Sequence, residues 1–210
     1  MKRRIVLASA SPRRRELLAI LGLDFELGTS GVPEDTQPGE SPAESAVRLA
    51  RQKAEAVASR FPDALVLGAD TVVVSGREIL GKPVDAEDAR RMLRLLCNRW
   101  HFVITGVALL DSKNGGREAR FVETGVRMAD YSHADIEDYV SSGEPLDKAG
   151  SYAIQGLGGR LVARIEGCYT NVVGLPVCEV AEMLRGFGVT VPAVPALCTD
   201  STGGPCPRLV

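Results

Sequence analysis

The run Leu65-Val66-Leu67-Gly68-Ala69-Asp70-Thr71-Val72-Val73-Val74 constrains this chain more than any other segment. Its length and β-branched content predict a strand, and it is apolar at odd and even positions alike, so both faces are to be covered. At 210 residues the chain suits one α/β domain or two closely joined lobes, and it is long enough for a sizeable core. Asp70 breaks the apolar run in its middle. A carboxylate there is expensive unless it meets a cation, a metal or several donors. A structural ion pair would satisfy it; a catalytic or metal-binding role is the stronger reading.

The N-terminus carries a second anomaly. The apolar Val6-Leu7-Ala8 predicts a short strand, and Ser11-Pro12 opens a helix, with serine as N-cap and proline where no N–H is needed. Leu17, Leu18 and Leu21 give the helix an apolar face, and Gly22 stops it. Arg13, Arg14 and Arg15 then crowd the positive end of the helix dipole, at a cost of roughly 0.3–1 kcal/mol each. An anion resolves the conflict, because free N–H groups, the hydroxyls of Ser9 and Ser11 and the guanidinium forks converge on phosphate. A solvated basic turn, or an arm that touches nucleic acid loosely, is the plain alternative.

Between these segments the chain reads as alternating elements. A polar loop over 28–39 carries Glu34 and Asp35. Ser41-Pro42-Ala43-Glu44 is a capping box that opens a helix reaching about Arg60. Lys53 falls beside the apolar row Leu49–Val57 of that helix, where a snorkelling lysine is the plain alternative. Lys82 is fixed between Gly81 and Pro83, which suits a phosphate contact and equally an exposed turn. Asp85 caps a helix over 86–97, and 101–110 reads as a second buried strand. The Asn114-Gly115-Gly116 turn joins it to an antiparallel strand near 120–128. Ser132 caps a helix over 133–142. The glycine-rich run over 151–159 lacks both GxGxxG and Walker A spacing, so neither nucleotide motif is supported. A strand over 161–165 and a helix over 177–184 complete the body, residues 1–188. The weakly charged, aperiodic stretch 189–210 reads as a disordered extension.

Composition excludes several classes. A net charge of -2 argues against a general nucleic-acid binder. The five cysteines form no CxxC pair and there are two histidines, so no zinc site is signalled. No apolar run is long enough for a membrane span or a signal peptide. The expectation is a cytoplasmic, reduced protein without nucleic-acid or membrane partners.

Several motifs in order resemble one family over about residues 4–187: LASASPRRRELL, Glu34, the LARQKA helix with Lys53, GADTVV around Asp70, Gly81-Lys82-Pro83, His101 to Gly106, EPLDKAGSYAIQG and EGCYTNVVGLP. That set is similar to the Maf family of nucleoside triphosphate pyrophosphatases. The resemblance implies an α/β fold with a long mixed sheet flanked by helices, two lobes around a cleft, and a homodimer. It implies Asp70 as general base and Arg13, Thr71 and Gln155 as the positions that select dTTP and UTP over 7-methyl-GTP. It further implies Mg²⁺ or Mn²⁺ on the hard oxygens of Glu34 and Asp70, with Ser9, Arg13, Arg14, Lys53 and Lys82 on the phosphates. Three positions depart from the family pattern: Pro33 stands where an acid is common, Cys168 where Ser or Asp is usual, and Trp100 where a smaller residue is commoner. A 7-methyl-GTP pyrophosphatase and a nucleotide-sensing regulator of cell division without catalysis are the alternatives. The regulator would need no base, which the intact Asp70 and Glu34 oppose.

Overall fold

The computed structural model describes residues 3–191. Strand β1 (Arg4–Leu7) runs into helix α1 (Pro12–Ala19), whose N-cap Ser11 accepts from Arg14 N at 3.4 Å. Its first turn holds no acidic residue, so the dipole conflict read from the sequence is present. After the short β2 (Glu26–Leu27) comes α2 (Pro42–Ala58), opened by the expected capping box. Strand β3 (Ala64–Ser75), β4 (Glu78–Leu80) and α3 (Ala86–Leu96) follow, then the hairpin of β5 (Trp100–Asp111) and β6 (Arg117–Met128). Helix α4 (His133–Ser141), strand β7 (Val162–Glu166), α5 (Tyr169–Val173) and α6 (Val177–Gly186) end the body.

Two features depart from expectation. The second hairpin strand starts at Arg117, three residues early, and α5 forms where only a lead-in to the last helix was expected. With five residues α5 is too short to show a period. Of the expected extension over 189–210, residues 192–210 lie outside the described residues. Val191 is buried and Val189 packs against the same cluster, so the ordered body passes Gly188.

The strands form a seven-stranded mixed sheet in the order β2-β1-β3-β5-β6-β7, with β4 on β3. β2, β1 and β3 are parallel; the other pairings are antiparallel. β3 is central and covered on both faces, as its sequence demands. On one face Leu65, Leu67 and Ala69 join a cluster with α1 and α6, while Val73 joins a second cluster with α3 and α4. Thr71 lies between them. On the other face Val66 packs on Ala54 and Val57 of α2, and Val72 and Val74 on Ala46, with Asp70 between. The two lobes are therefore two apolar clusters along one sheet, and their boundary crosses β3 at Asp70 and Thr71.

Two glycines bring α2 close. A Cβ on Gly68 would stand 2.1 Å from the Ala50 carbonyl oxygen, and one on Gly106 2.3 Å from the Ala46 carbonyl carbon. Gly106 lies directly across from Asp70. Alanines on the helix and glycines on the sheet let the two backbones nearly touch. On its outer edge β3 pairs with β1 through Leu67 and with β4 from Val73. Over 68–72 no strand pairs with that edge among the described residues, and a cleft of about 700 Å³ opens there.

Candidate active site

The gap in the sheet lets residues from both faces line one cleft, Lys53 and Asp70 from the α2 side and Arg14, Thr71 and Gly174 from the other. Lys53, on the turn of α2 seated against Gly68, is 6% exposed. Its Nζ lies 2.6 Å from Asp70 Oδ1 and 2.6 Å from Glu34 Oε1, so the snorkelling alternative fails. Lys82 reaches the other Glu34 oxygen at 3.0 Å from the rim. Burial pushes the Glu34 carboxyl up, but the bonds to Lys53 and Lys82 outweigh it and hold the pKa at about 2. For Asp70 burial wins: its pKa is raised, against the pull of Lys53 and Arg14 and with the help of nearby Glu34. The ion-pair alternative for Asp70 is thus real, and the pair opens on the cleft.

Arg14 is half-buried. Its Nε donates to the Gly174 carbonyl at 2.9 Å and its Nη2 to Thr71 Oγ1 at 3.0 Å. Arg13 lines the same cleft, and its charge acts on Glu144 and Asp147. Ser9 Oγ accepts from Ser11 N at 3.2 Å, ordering the turn into α1. Lys148 also lines the cleft, ion-paired with Asp147. Cations from four segments therefore face three carboxylates, Glu34, Asp70 and Asp147, around a space large enough for a nucleotide.

The sequence model of the family described as Maf-like protein matches residues 4–187, nearly the whole described body. The chain belongs to the Maf family. Among curated relatives, the dTTP/UTP pyrophosphatase of Geobacter sulfurreducens is 54% identical over 187 residues, covering 89% of this chain and 98% of its own length. The dTTP/UTP pyrophosphatase of Hahella chejuensis is 47% identical over 193 residues, covering 90% of this chain and 95% of its own. Among solved structures, the Staphylococcus aureus Ham1 protein aligns with 62% of this chain and 74% of its own at 17% identity and a TM-score of 0.43.

In this Maf chain the cleft collects Ser9, Arg13, Arg14, Glu34, Lys53, Asp70, Thr71 and Lys82 from the expected set. Gln155 is exposed and is not among the lining residues; it lies two positions beyond lining Ala153. The glycine-rich run that carries it is tied down by Glu144, which accepts from Leu157 N and Gly158 N at 3.1 Å each and from Tyr139 Oη at 3.0 Å. Sequence reasoning missed that role, because a carboxylate in a charged loop gives no sign of which N–H groups it will meet. It also missed Arg48, which grips Glu40 and the Asp35 carbonyl and so shapes the loop presenting Glu34. The i, i+4 spacing of Arg48 and Gln52 on α2 was the available signal, since the two side chains bond at 3.2 Å.

The oxygens of Glu34 and Asp70 converge on one ammonium, so a cation already sits between them. That donor set fits a hard divalent ion using one or two carboxylates together with substrate phosphates. Among the described residues no cluster of three or more His, Cys, Asp or Glu offers a closed metal cage.

Proposed function

We propose that this protein hydrolyses dTTP and UTP to the monophosphate and pyrophosphate, with water attacking the α-phosphorus. One observation carries the reading: a buried carboxylate and a loop carboxylate, ion-paired with Lys53 and Lys82, share a nucleotide-sized cleft with Arg14, in a chain about half identical to curated dTTP/UTP pyrophosphatases. Asp70, with its raised pKa, is suited to orient a water and take its proton. Arg14 and Arg13 reach the phosphate chain from the N-terminus of α1, the positive end of its dipole. Lys53 and Lys82 balance charge that shifts toward the leaving pyrophosphate. Glu34 and Asp70 would hold Mg²⁺ or Mn²⁺, and the chemistry such an ion supplies is polarisation of phosphate oxygens and a lowered pKa for water. Base choice falls to Arg13, Thr71 and Gln155; an amide at 155 can donate to one carbonyl and accept from the ring N–H of uracil or thymine. The same reading makes the protein a cytoplasmic homodimer acting on free nucleotides.

Hydrolysis of a nucleotide panel in oxygen-18 water tests this. The expected outcome is label on the monophosphate, with dTTP and UTP preferred over purine triphosphates. Label on inorganic phosphate with a diphosphate product defeats the reading, and preference for 7-methyl-GTP defeats the base assignment alone.

A further inference from the structure

Thr105 is fully buried and is not among the residues lining the cleft, yet it is bonded to one that is. It stands directly across from Thr71 on the neighbouring strand, with the two hydroxyl oxygens 2.9 Å apart. Its own oxygen lies 3.2 Å from the main-chain carbonyl of Asn171. That carbonyl also accepts from Gly174 N at 3.0 Å, and the Gly174 carbonyl takes Arg14 Nε. Arg14, Thr71, Thr105, Asn171 and Gly174 thus close a hydrogen-bonded ring at the boundary of the two lobes. The Asn171 side chain anchors the ring from behind, donating to the Val103 carbonyl and to Thr124 Oγ1 at 2.9 Å each.

The ring admits one order of donors. A guanidinium only donates, a carbonyl only accepts, and each hydroxyl owns one proton. Arg14 must give to Thr71, and Asn171 must receive from Thr105, so the proton between the two threonines belongs to Thr71. In the opposite order Thr105, fully buried, would face the Asn171 carbonyl lone pair to lone pair.

We propose that Thr105 is a positioning residue: through this one-way ring it holds Thr71 as an acceptor and so fixes the Arg14 guanidinium toward the phosphate chain. The inference rests on the cleft being the phosphate site proposed above. Thr105→Val removes both proton and acceptor at nearly constant shape, and Thr105→Ser keeps both. The readout is calorimetric binding of inorganic tripolyphosphate in the presence of Mg²⁺, which involves neither turnover nor a base. Thr105→Val is expected to bind about tenfold more weakly, the usual scale for one bond to a charged group, and Thr105→Ser within about twofold of the parent. In an Arg14→Met background Thr105→Val is expected to add nothing. Unchanged binding in folded Thr105→Val, or an equal further loss without Arg14, overturns this inference and leaves the phosphate reading standing. Absence of tripolyphosphate binding by the unmodified protein overturns both. If Thr105→Val does not fold, Thr71→Val cuts the same ring: about tenfold weaker binding supports the proposal, whereas a Thr71 that only reads the base leaves tripolyphosphate affinity unchanged.

Discussion

At Lys53 one ammonium serves two carboxylates, and the consequences of removing each partner differ. Lys53 and Asp70 side chains are both 7% exposed, so deleting the lysine leaves a buried charge unpaired, whereas neutralising the aspartate leaves Lys53 with Glu34. Asp70→Asn is therefore expected to fold normally and turn over at least about 10²-fold more slowly, the low end for losing a general base. Lys53→Met is expected to lose about 3–5 kcal/mol of stability in urea unfolding, the usual cost of breaking a buried pair from one side. Near-normal turnover in folded Asp70→Asn would move the base to Glu34. A second buried group lies behind the cleft wall, against the lining residue Tyr152. Burial holds His101 neutral, with its pKa pulled down to about 4, and Tyr152 Oη meets its Nε2 at 2.8 Å. Between pH 6.5 and 4 the unfolded chain binds the extra proton and the folded one does not, so stability rises with pH across that window and falls on acidification. His101→Asn should flatten that slope by up to about 3 kcal/mol across the window, read from urea midpoints at several pH values. An unchanged slope would place the protonation elsewhere.

The element that sets the site is α2, and its depth on the sheet is fixed by absent side chains. Adding a methyl at Gly68 or Gly106 would drive it into the helix backbone, which no rotamer change can relieve. Gly68→Ala is expected to cost about 3 kcal/mol, the upper range for overpacking, and to lower turnover by shifting Lys53. A melting temperature and turnover equal to the parent's would show that α2 can slide without penalty. This notch was not legible in the sequence, where a glycine in a strand only hints at a close approach. What was legible had strong local causes. Ser11, Ser41, Asp85 and Ser132 all cap helices as read, since capping is settled within four residues. Asp70 and Lys53 were singled out for the cost or oddity of their positions and Glu34 through the family resemblance, but their meeting on one ammonium depends on chain separations of 17 and 19 residues. Local patterns carry no such pairing. The ring through Thr105 was invisible for the same reason, because a threonine in a β-branched strand is ordinary.

On the scale of the whole molecule, the sheet is one body and the apolar packing on it is two. The cleft lies where neither cluster covers β3, so the lobes can respond separately to damage while the site depends on both. The first cluster includes α1, which carries Arg13 and Arg14, and is closed by α6 and by Val189 and Val191 beyond it. Its edge gives a sharp test of where the folded unit ends. Truncation after Val191 keeps every packed residue described, whereas truncation after Gly188 removes the buried Val191 and the partly buried Val189. Burying a valine contributes roughly 1.5 kcal/mol or more, so the shorter chain should lose about 2–3 kcal/mol. For a chain of this size that corresponds to a melting temperature about 5–10 °C lower than in the longer truncation. Truncation after Val191 is expected to match the full chain in melting temperature and dTTP turnover. Two truncations with the same melting temperature would mean that Val191 contributes no packing energy in solution. A large loss in the longer one would show that residues beyond 191 hold the first lobe or join two copies of the chain.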